Sequence, residues 1–180
     1  MNIWHDIREE RITPEDFMGV IEISKGSRVK YELDKETGFL RVDRVIYSSS
    51  HYPANYGFIP RTYSCDGDPL DVLVLCSEEI RPMTLVRCYP IGVIIMEDQG
   101  ERDEKIIAIP FDDPTYNGFQ DLKELMPHTM VEISNFFEYY KTLEKKETLL
   151  RSTGGREEAL EVIREARRCY EEKRSRGELG

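Results

Sequence analysis

The chain is short of soft-metal and nucleophile chemistry. Its four cysteines, Cys65, Cys76, Cys88 and Cys169, form no Cys-x-x-Cys pair, which argues against a structural zinc site. Three of them sit next to or inside apolar strand-like stretches, and the four suit reduced, buried packing thiols in a cytoplasmic protein. The three histidines, His5, His51 and His128, stand in no recognisable motif, so serine- or cysteine-based nucleophilic catalysis has no support. Each reads as a structural or surface histidine. No Gly-x-x-x-x-Gly-Lys-Ser/Thr loop is present, which removes P-loop nucleotide binding. No apolar run approaches the roughly eighteen residues of a membrane span. The segment Met1–Asp6 offers neither a basic n-region nor an apolar h-region, so a cytoplasmic location is expected. A basic surplus is missing too: 25 Lys and Arg face 35 Asp and Glu, a net charge of −10. Without a basic stripe the chain is a poor partner for nucleic-acid phosphates. No period of 20–50 residues repeats and no linker interrupts the 180 residues, so a single domain over 1–180 is expected.

What is present is unevenly placed. Residues 66–140 carry five basic and sixteen acidic side chains, while 1–65 carry nine and ten and 141–180 carry eleven and nine. Hydrophobic periodicity divides the chain in two. Residues 19–23 read as a short strand, and 28–33 and 39–46 alternate around the turn Asp34–Gly38, the pattern of a hairpin. Val72–Leu75, Leu85–Met96 and Lys105–Ile109 supply further strands rich in Val and Ile, the last two joined by an acidic turn, Glu97–Glu104, centred on Gly100. After Pro114 the period becomes helical. Residues 119–126 predict a short helix, and 128–144 a longer one carrying Ile133, Phe136, Phe137 and Tyr140 on one stripe. Gly154-Gly155 breaks the chain before an amphipathic helix over 156–174, with Ala159, Ile163, Ala166 and Tyr170 on one side. Strands first and helices last predict a mainly β fold with flanking α-helices packed outside the sheet.

The sharpest local feature is Asp66-Gly67-Asp68-Pro69-Leu70-Asp71-Val72. Three carboxylates this close repel one another unless cations neutralise them or their pKa values rise. Oxygen ligands suit hard divalent ions, so Mg²⁺ or Mn²⁺ is the natural partner. An exposed Asp/Gly/Pro turn explains the same residues conformationally. An EF-hand does not: counting from Asp66, its sixth position holds Asp71 and its twelfth Ser77, where Gly and Glu are required. Asp98, Asp103 and Lys105 form a second polar group, and Glu22, Lys30, Glu32 and Arg44 a third. Taken singly these are a charged hairpin loop and an ion-paired sheet face. Tyr140-Lys141 closes the aromatic helix, where core packing and a favourable C-terminal cation account for the pair. Together, carboxylates for several metal ions and Lys, Arg and Tyr for anionic oxygens are what phosphoryl transfer to water requires.

The heptad resembles the Asp-Gly-Asp-Pro-x-Asp-Val/Ile/Leu signature of the soluble family I inorganic pyrophosphatases. The likeness extends through Lys30-Tyr31-Glu32, Val42-Asp43-Arg44, Tyr52-Pro53-x-Asn55-Tyr56-Gly57 and Phe136-Phe137-Glu138-x-Tyr140-Lys141, in order, over roughly residues 3–145. It implies a five-stranded twisted OB-type barrel with two or three helices packed outside, and Mg²⁺-dependent hydrolysis of pyrophosphate to two orthophosphates, with Mn²⁺ or Zn²⁺ as substitutes. By the same resemblance Asp66, Asp71 and Asp103 hold the two metals that share the nucleophilic water, and Asp68 is the general base. Asp98 joins Asp103 on metal arriving with the substrate, Glu32 contributes through bound water, and Glu22 and Tyr56 line the metal side. Lys30, Arg44, Tyr140 and Lys141 hold the phosphates, Lys105 stands beside the bridging metals, and Tyr52 belongs to the pocket wall. Attack is expected to come from a metal-bridged hydroxide, without a phosphoenzyme.

Two departures accompany the likeness. Many bacterial members carry histidines at a subunit contact where this chain has Asn135 and Tyr139. A homo-oligomer is expected, a hexamer by resemblance, with its contact chemistry altered. The chain beyond residue 145 matches weakly, and the C-terminal helix acquires no role. Two rival readings remain: another metal-dependent phosphohydrolase acting on nucleotides or phosphoesters, and a non-catalytic OB-type binding module. The acidic cluster argues against the second, since it repels nucleic acid in the absence of metal.

Overall fold

A computed structural model describes residues 2–64 and 66–179. Eight strands run β1 Phe17–Ile23, β2 Val29–Leu33, β3 Leu40–Val45, β4 Asn55–Phe58, β5 Asp71–Val74, β6 Leu85–Asp98, β7 Glu101–Pro110 and β8 Thr148–Gly154. Two α-helices, α1 Pro127–Tyr139 and α2 Arg156–Ser175, pack against them. Five strands close into a ring in the order β1-β4-β5-β7-β6, because β1 pairs with both β4 and β6. Strand β8 adds to the outer side of β6, and β2–β3 stands apart as a two-stranded sheet. This is the mainly β architecture with outlying helices that the sequence predicts.

Alternation within the strands serves two cores. Leu73, Ile107 and Ile109 join Ile133, Phe136 and Phe137 of α1 in one cluster. Their neighbours Val72, Val74, Ile106 and Ala108 face the other way, onto Ala159, Ile163 and Ala166 of α2. Strands buried on both faces need continuous Val/Ile runs, as β5 and β7 have. The ring is tight. A Cβ on Gly57 of β4 would lie 1.8 Å from the carbonyl oxygen of Val20, so only glycine lets β1 and β4 meet there.

The helical region differs from expectation. Residues 119–126 form only a 3₁₀ turn, Leu122–Glu124, whose N-cap Asp121 accepts from the Lys123 N–H. Pro127 then opens α1 at its first turn, the position where a missing N–H costs nothing. The helix expected over 128–144 stops at Tyr139, and a second 3₁₀ turn, Thr142–Glu144, ends at Lys145 in the left-handed region. The acidic turn is tighter than expected: Glu97, Asp98 and Glu101–Glu104 are strand residues, and Gln99-Gly100, both at positive φ, alone make the reversal. Cys88 is buried, whereas Cys76 and Cys169 are half-buried rather than core thiols; Cys65 lies outside the described residues.

Candidate active site

Register brings the distant carboxylates together. Strands β5 and β7 pair in parallel, with Asp71 opposite Lys105. Period two puts Asp103 on the same face of β7 as Lys105. The Lys105 ammonium is 2.6 Å from Asp71 Oδ2 and 3.0 Å from Asp103, and it donates to the Tyr56 hydroxyl at 3.0 Å. Tyr56 in turn donates to Asp71 Oδ2. Its strand is anchored by the neighbouring Asn55, whose buried amide accepts from the Lys25 and Ile80 N–H groups and donates to the Glu78 carbonyl. That anchoring explains an Asn in the Tyr-Pro-x-Asn-Tyr-Gly stretch on structural grounds.

The far wall comes from α1 and the β6–β7 hairpin. Thr148 of β8 donates to the Phe137 carbonyl at 2.7 Å, pinning the end of α1 beside the hairpin. Tyr140 and Lys141 therefore face the site, and Lys141 pairs with Asp98 Oδ2. The β2–β3 hairpin supplies Lys30 and Glu32, 2.5 Å apart, with Arg41 2.6 Å from the second oxygen of Glu32. Behind them Glu22 accepts from the Leu33 N–H at 2.7 Å.

These groups line one cleft of about 620 Å³. All the residues singled out from the sequence are on its wall except Arg44 and Tyr52. Arg44 is engaged by Asp43 and lies 2.9 Å from Glu144, and Tyr52 is buried, its ring 4.8 Å from Phe136 and 5.3 Å from Tyr56. Both stand behind the wall rather than in it. The cleft also takes in Lys35, Glu36 and Arg41, which no motif signalled. Their one clue is position: they belong to the turn and the second strand of the hairpin whose first strand carries Lys30 and Glu32.

The electrostatics record crowding. Burial, then the nearby Asp71, pushes Glu22 up to about 8. Enclosure in the cleft, then Asp71, Asp68 and Asp103, raise Asp66 to about 6 even though its side chain keeps contact with water. Burial and Asp103 drive Asp71 upward against the pull of Lys105. Burial opposes the charge on Lys105, but Asp103 and Asp71 more than offset it and hold the ammonium well above its ordinary range. Lys141 is lowered, by burial first, with Asp98 resisting.

Those shifts give the metal-free protein a definite pH response. An acid whose folded pKa is raised binds its proton more tightly in the native state, so it contributes stability at low pH that is lost on the way up. For Glu22 the window runs from the ordinary 4.5 to about 8, and the loss is on the order of a few kcal/mol. Urea denaturation in chelator should therefore show stability falling between about pH 5 and pH 8, with a shallower fall in Glu22→Gln. An upward trend over that window would contradict this electrostatic picture.

The donor chemistry fits hard divalent cations. Asp98 Oδ1 is buried and has no hydrogen-bond partner among the described residues, and the groups around the cleft able to hold a cation are oxygens, mostly of carboxylates. Among the described residues no three acidic, His or Cys side chains close on one point, and Lys105 provides the positive charge between Asp71 and Asp103.

The chain is similar to known proteins in sequence and in fold. Residues 19–171 match the family model described as inorganic pyrophosphatase. Soluble inorganic pyrophosphatase 2 of Chlamydomonas reinhardtii is 52% identical over 169 residues, covering 94% of this chain and 88% of its own. Soluble inorganic pyrophosphatase 1 of Arabidopsis thaliana is 49% identical over 169 residues, with coverages of 94% and 80%. Among solved structures, the inorganic pyrophosphatase of Helicobacter pylori superposes with a TM-score of 0.85 at 45% identity, covering 88% of this chain and 95% of that one. The Thermus thermophilus enzyme gives 0.89 at 34% identity, covering 95% and 99%.

Proposed function

The chain belongs to the inorganic pyrophosphatase family, and from that premise we propose that it hydrolyses inorganic pyrophosphate to two orthophosphates with Mg²⁺. The observation that carries this reading is one cleft whose wall interleaves carboxylates with lysines and two buried tyrosines, Tyr56 and Tyr140. Both halves of pyrophosphate are anionic, so a site must neutralise each end while a nucleophile approaches one phosphorus. In this reading Asp66, Asp71, Asp98 and Asp103 hold the metal ions, with Glu22 and Glu32 contributing from the hairpin side. Mg²⁺ bound there, or Mn²⁺ or Zn²⁺ in its place, supplies acidity to the attacking water and neutralises phosphate charge.

The protein's own groups do the rest. Lys30, Lys141 and Tyr140 grip phosphate oxygens from the hairpin and the end of α1, and Tyr56 and Lys105 order the Asp71 side. Arg44 and Tyr52 act from behind the wall: Arg44 through the hairpin it shares with Lys30, Tyr52 through the ring of Tyr56. Asp68, at the cleft mouth with a half-exposed side chain, takes the proton of the attacking water. Among the described residues the cleft wall offers no serine or cysteine nucleophile, which supports direct attack by water.

A family resemblance also supports a cytoplasmic homo-oligomer, a hexamer in form. Val131, Asn135 and Tyr139 lie exposed at i, i+4 and i+8 on α1, one continuous face for a subunit contact. None of the described helices is long and apolar enough to cross a membrane. Sedimentation velocity tests the assembly, and a monomer at micromolar concentration would remove it.

The rival activity is phosphohydrolysis of nucleotides or phosphoesters. With Mg²⁺ present, pyrophosphate should turn over orders of magnitude faster than ATP or a simple monoester. Comparable rates on ATP would favour the rival.

A further inference from the structure

Lys35 has no role in the chemistry described so far, yet it reaches the loop that carries the general base. It projects from the turn after β2, where Asp34 Oδ1 accepts from the Glu36 and Thr37 N–H groups and fixes the local backbone. From there its ammonium donates to the Gly67 carbonyl at 3.1 Å and pairs with the Asp68 carboxylate. The same ammonium lies over the Trp4 ring, 5.3 Å from its centroid, and the Lys35 carbonyl accepts from the Asn2 side chain at 3.4 Å.

Trp4 is itself tied to both ends of that loop. It is buried, and its indole N–H donates to the Thr62 carbonyl at 2.9 Å. The Thr62 hydroxyl accepts from the Leu70 N–H at 2.8 Å, so the segment entering the loop and the segment leaving it meet at Thr62. The Trp4 ring stacks on Tyr63 and leans on Tyr170 of α2, which gives the N-terminal segment and the C-terminal helix a shared task. Within the loop the Asp68 N–H donates to Asp66 Oδ1 at 3.0 Å, and Gly67 adopts a positive φ of 87°.

We propose that Lys35, seated on the face of Trp4, is a positioning residue that holds the Asp66–Asp68 loop so that Asp68 faces the cleft. The proposal rests on the reading of Asp68 as general base. Lys35 and Asp68 are both half-exposed, and an ion pair of that kind adds little to stability. Its effect is on placement. The bond to the Gly67 carbonyl is indifferent to the charge on Asp68, so the loop stays held while Asp68 carries a proton. The cation–π contact limits where the long side chain can go.

Steady-state hydrolysis of pyrophosphate with Mg²⁺ tests this in Lys35→Met, Lys35→Arg, Asp68→Asn and the Lys35→Met/Asp68→Asn double variant. Misplacing a reacting group by about an ångström costs up to roughly a hundredfold. Lys35→Met should therefore lose about tenfold to a hundredfold in kcat, with KM and the melting temperature little changed, and Lys35→Arg should recover most of the loss. In the Asp68→Asn background Lys35→Met should change kcat by less than about twofold, because a residue acting through Asp68 has nothing left to position. Three results would overturn the proposal: unchanged kcat in Lys35→Met, a rise in KM with kcat intact, or a full further loss in the double variant. Full turnover by Asp68→Asn alone would overturn the general-base reading itself, and the positioning role with it.

Discussion

Asp68→Asn lowers pyrophosphate turnover by about two to four orders of magnitude, the scale set by general-base catalysis, while metal affinity stays close to that of the unaltered protein. The reasoning is geometric. Asp71 and Asp103 are fastened to Lys105, and Asp98 to Lys141, so these acids are committed to the interior of the cleft. Asp68 sits at the mouth, with more than half of its side chain open to solvent, where water reaches it. Asparagine keeps its size and its backbone bond to Asp66 but cannot accept a full proton. Titration of Mg²⁺ alongside single-turnover kinetics separates the two roles. A collapse of metal affinity in the variant would make Asp68 a ligand instead.

Lys105→Met gives the largest stability effect, a loss of about 3–5 kcal/mol in the metal-free protein near neutral pH, the cost of removing one partner of a buried ion pair. Lys105 is only 3% exposed, and its ammonium is the one cation touching both Asp71 and Asp103 among the described residues. Without it two half-buried carboxylates, Asp71 on β5 and Asp103 on the neighbouring β7, are left uncompensated. The deficit shrinks as pH falls, because protonation of either acid removes the repulsion, and it shrinks on adding Mg²⁺, which restores positive charge. Urea denaturation with and without Mg²⁺ measures both trends. Equal stability of the two proteins in chelator would show that the pair contributes nothing net.

Much of the fold is legible in the residues because the relevant periods are short. Strand alternation marks β2 and β3, the Val/Ile runs mark β5 to β7, and the Phe136–Tyr140 stripe marks the buried side of α1. What stays hidden depends on partners far along the chain. Strand β4 is four residues, Asn-Tyr-Gly-Phe, close behind a proline, and it becomes a strand only because β1 and β5 flank it. Strand β8 is an edge strand with a polar, exposed outer face and little hydrophobic pattern, and its pairing with β6 defines it. The apolar spacing overstates the helix over 128–144 because it runs on through Leu143, whereas Lys145 turns left-handed.

The site divides the same way. The Asp-Gly-Asp-Pro-x-Asp heptad announces itself, but its relation to Asp103 and Lys105 requires the parallel register of β5 on β7, which no local pattern encodes. Arg44 and Tyr52 carry the right chemistry and the right motif, and packing sets both behind the cleft wall. Lys35 carries no motif, and only the fold shows what it touches. Of the sixteen acidic side chains in the acidic middle of the chain, five, Asp66, Asp68, Asp71, Asp98 and Asp103, line the cleft, where Glu22, Glu32, Asp34 and Glu36 join them.

The decisive measurement is orthophosphate release from pyrophosphate by the purified protein, followed with Mg²⁺ and then after excess chelator. Two orthophosphates for each pyrophosphate consumed, and release that stops on chelation and resumes on adding Mg²⁺, is the expected result. No release with Mg²⁺, Mn²⁺ or Zn²⁺, or release that chelator leaves untouched, would contradict a metal-dependent pyrophosphatase.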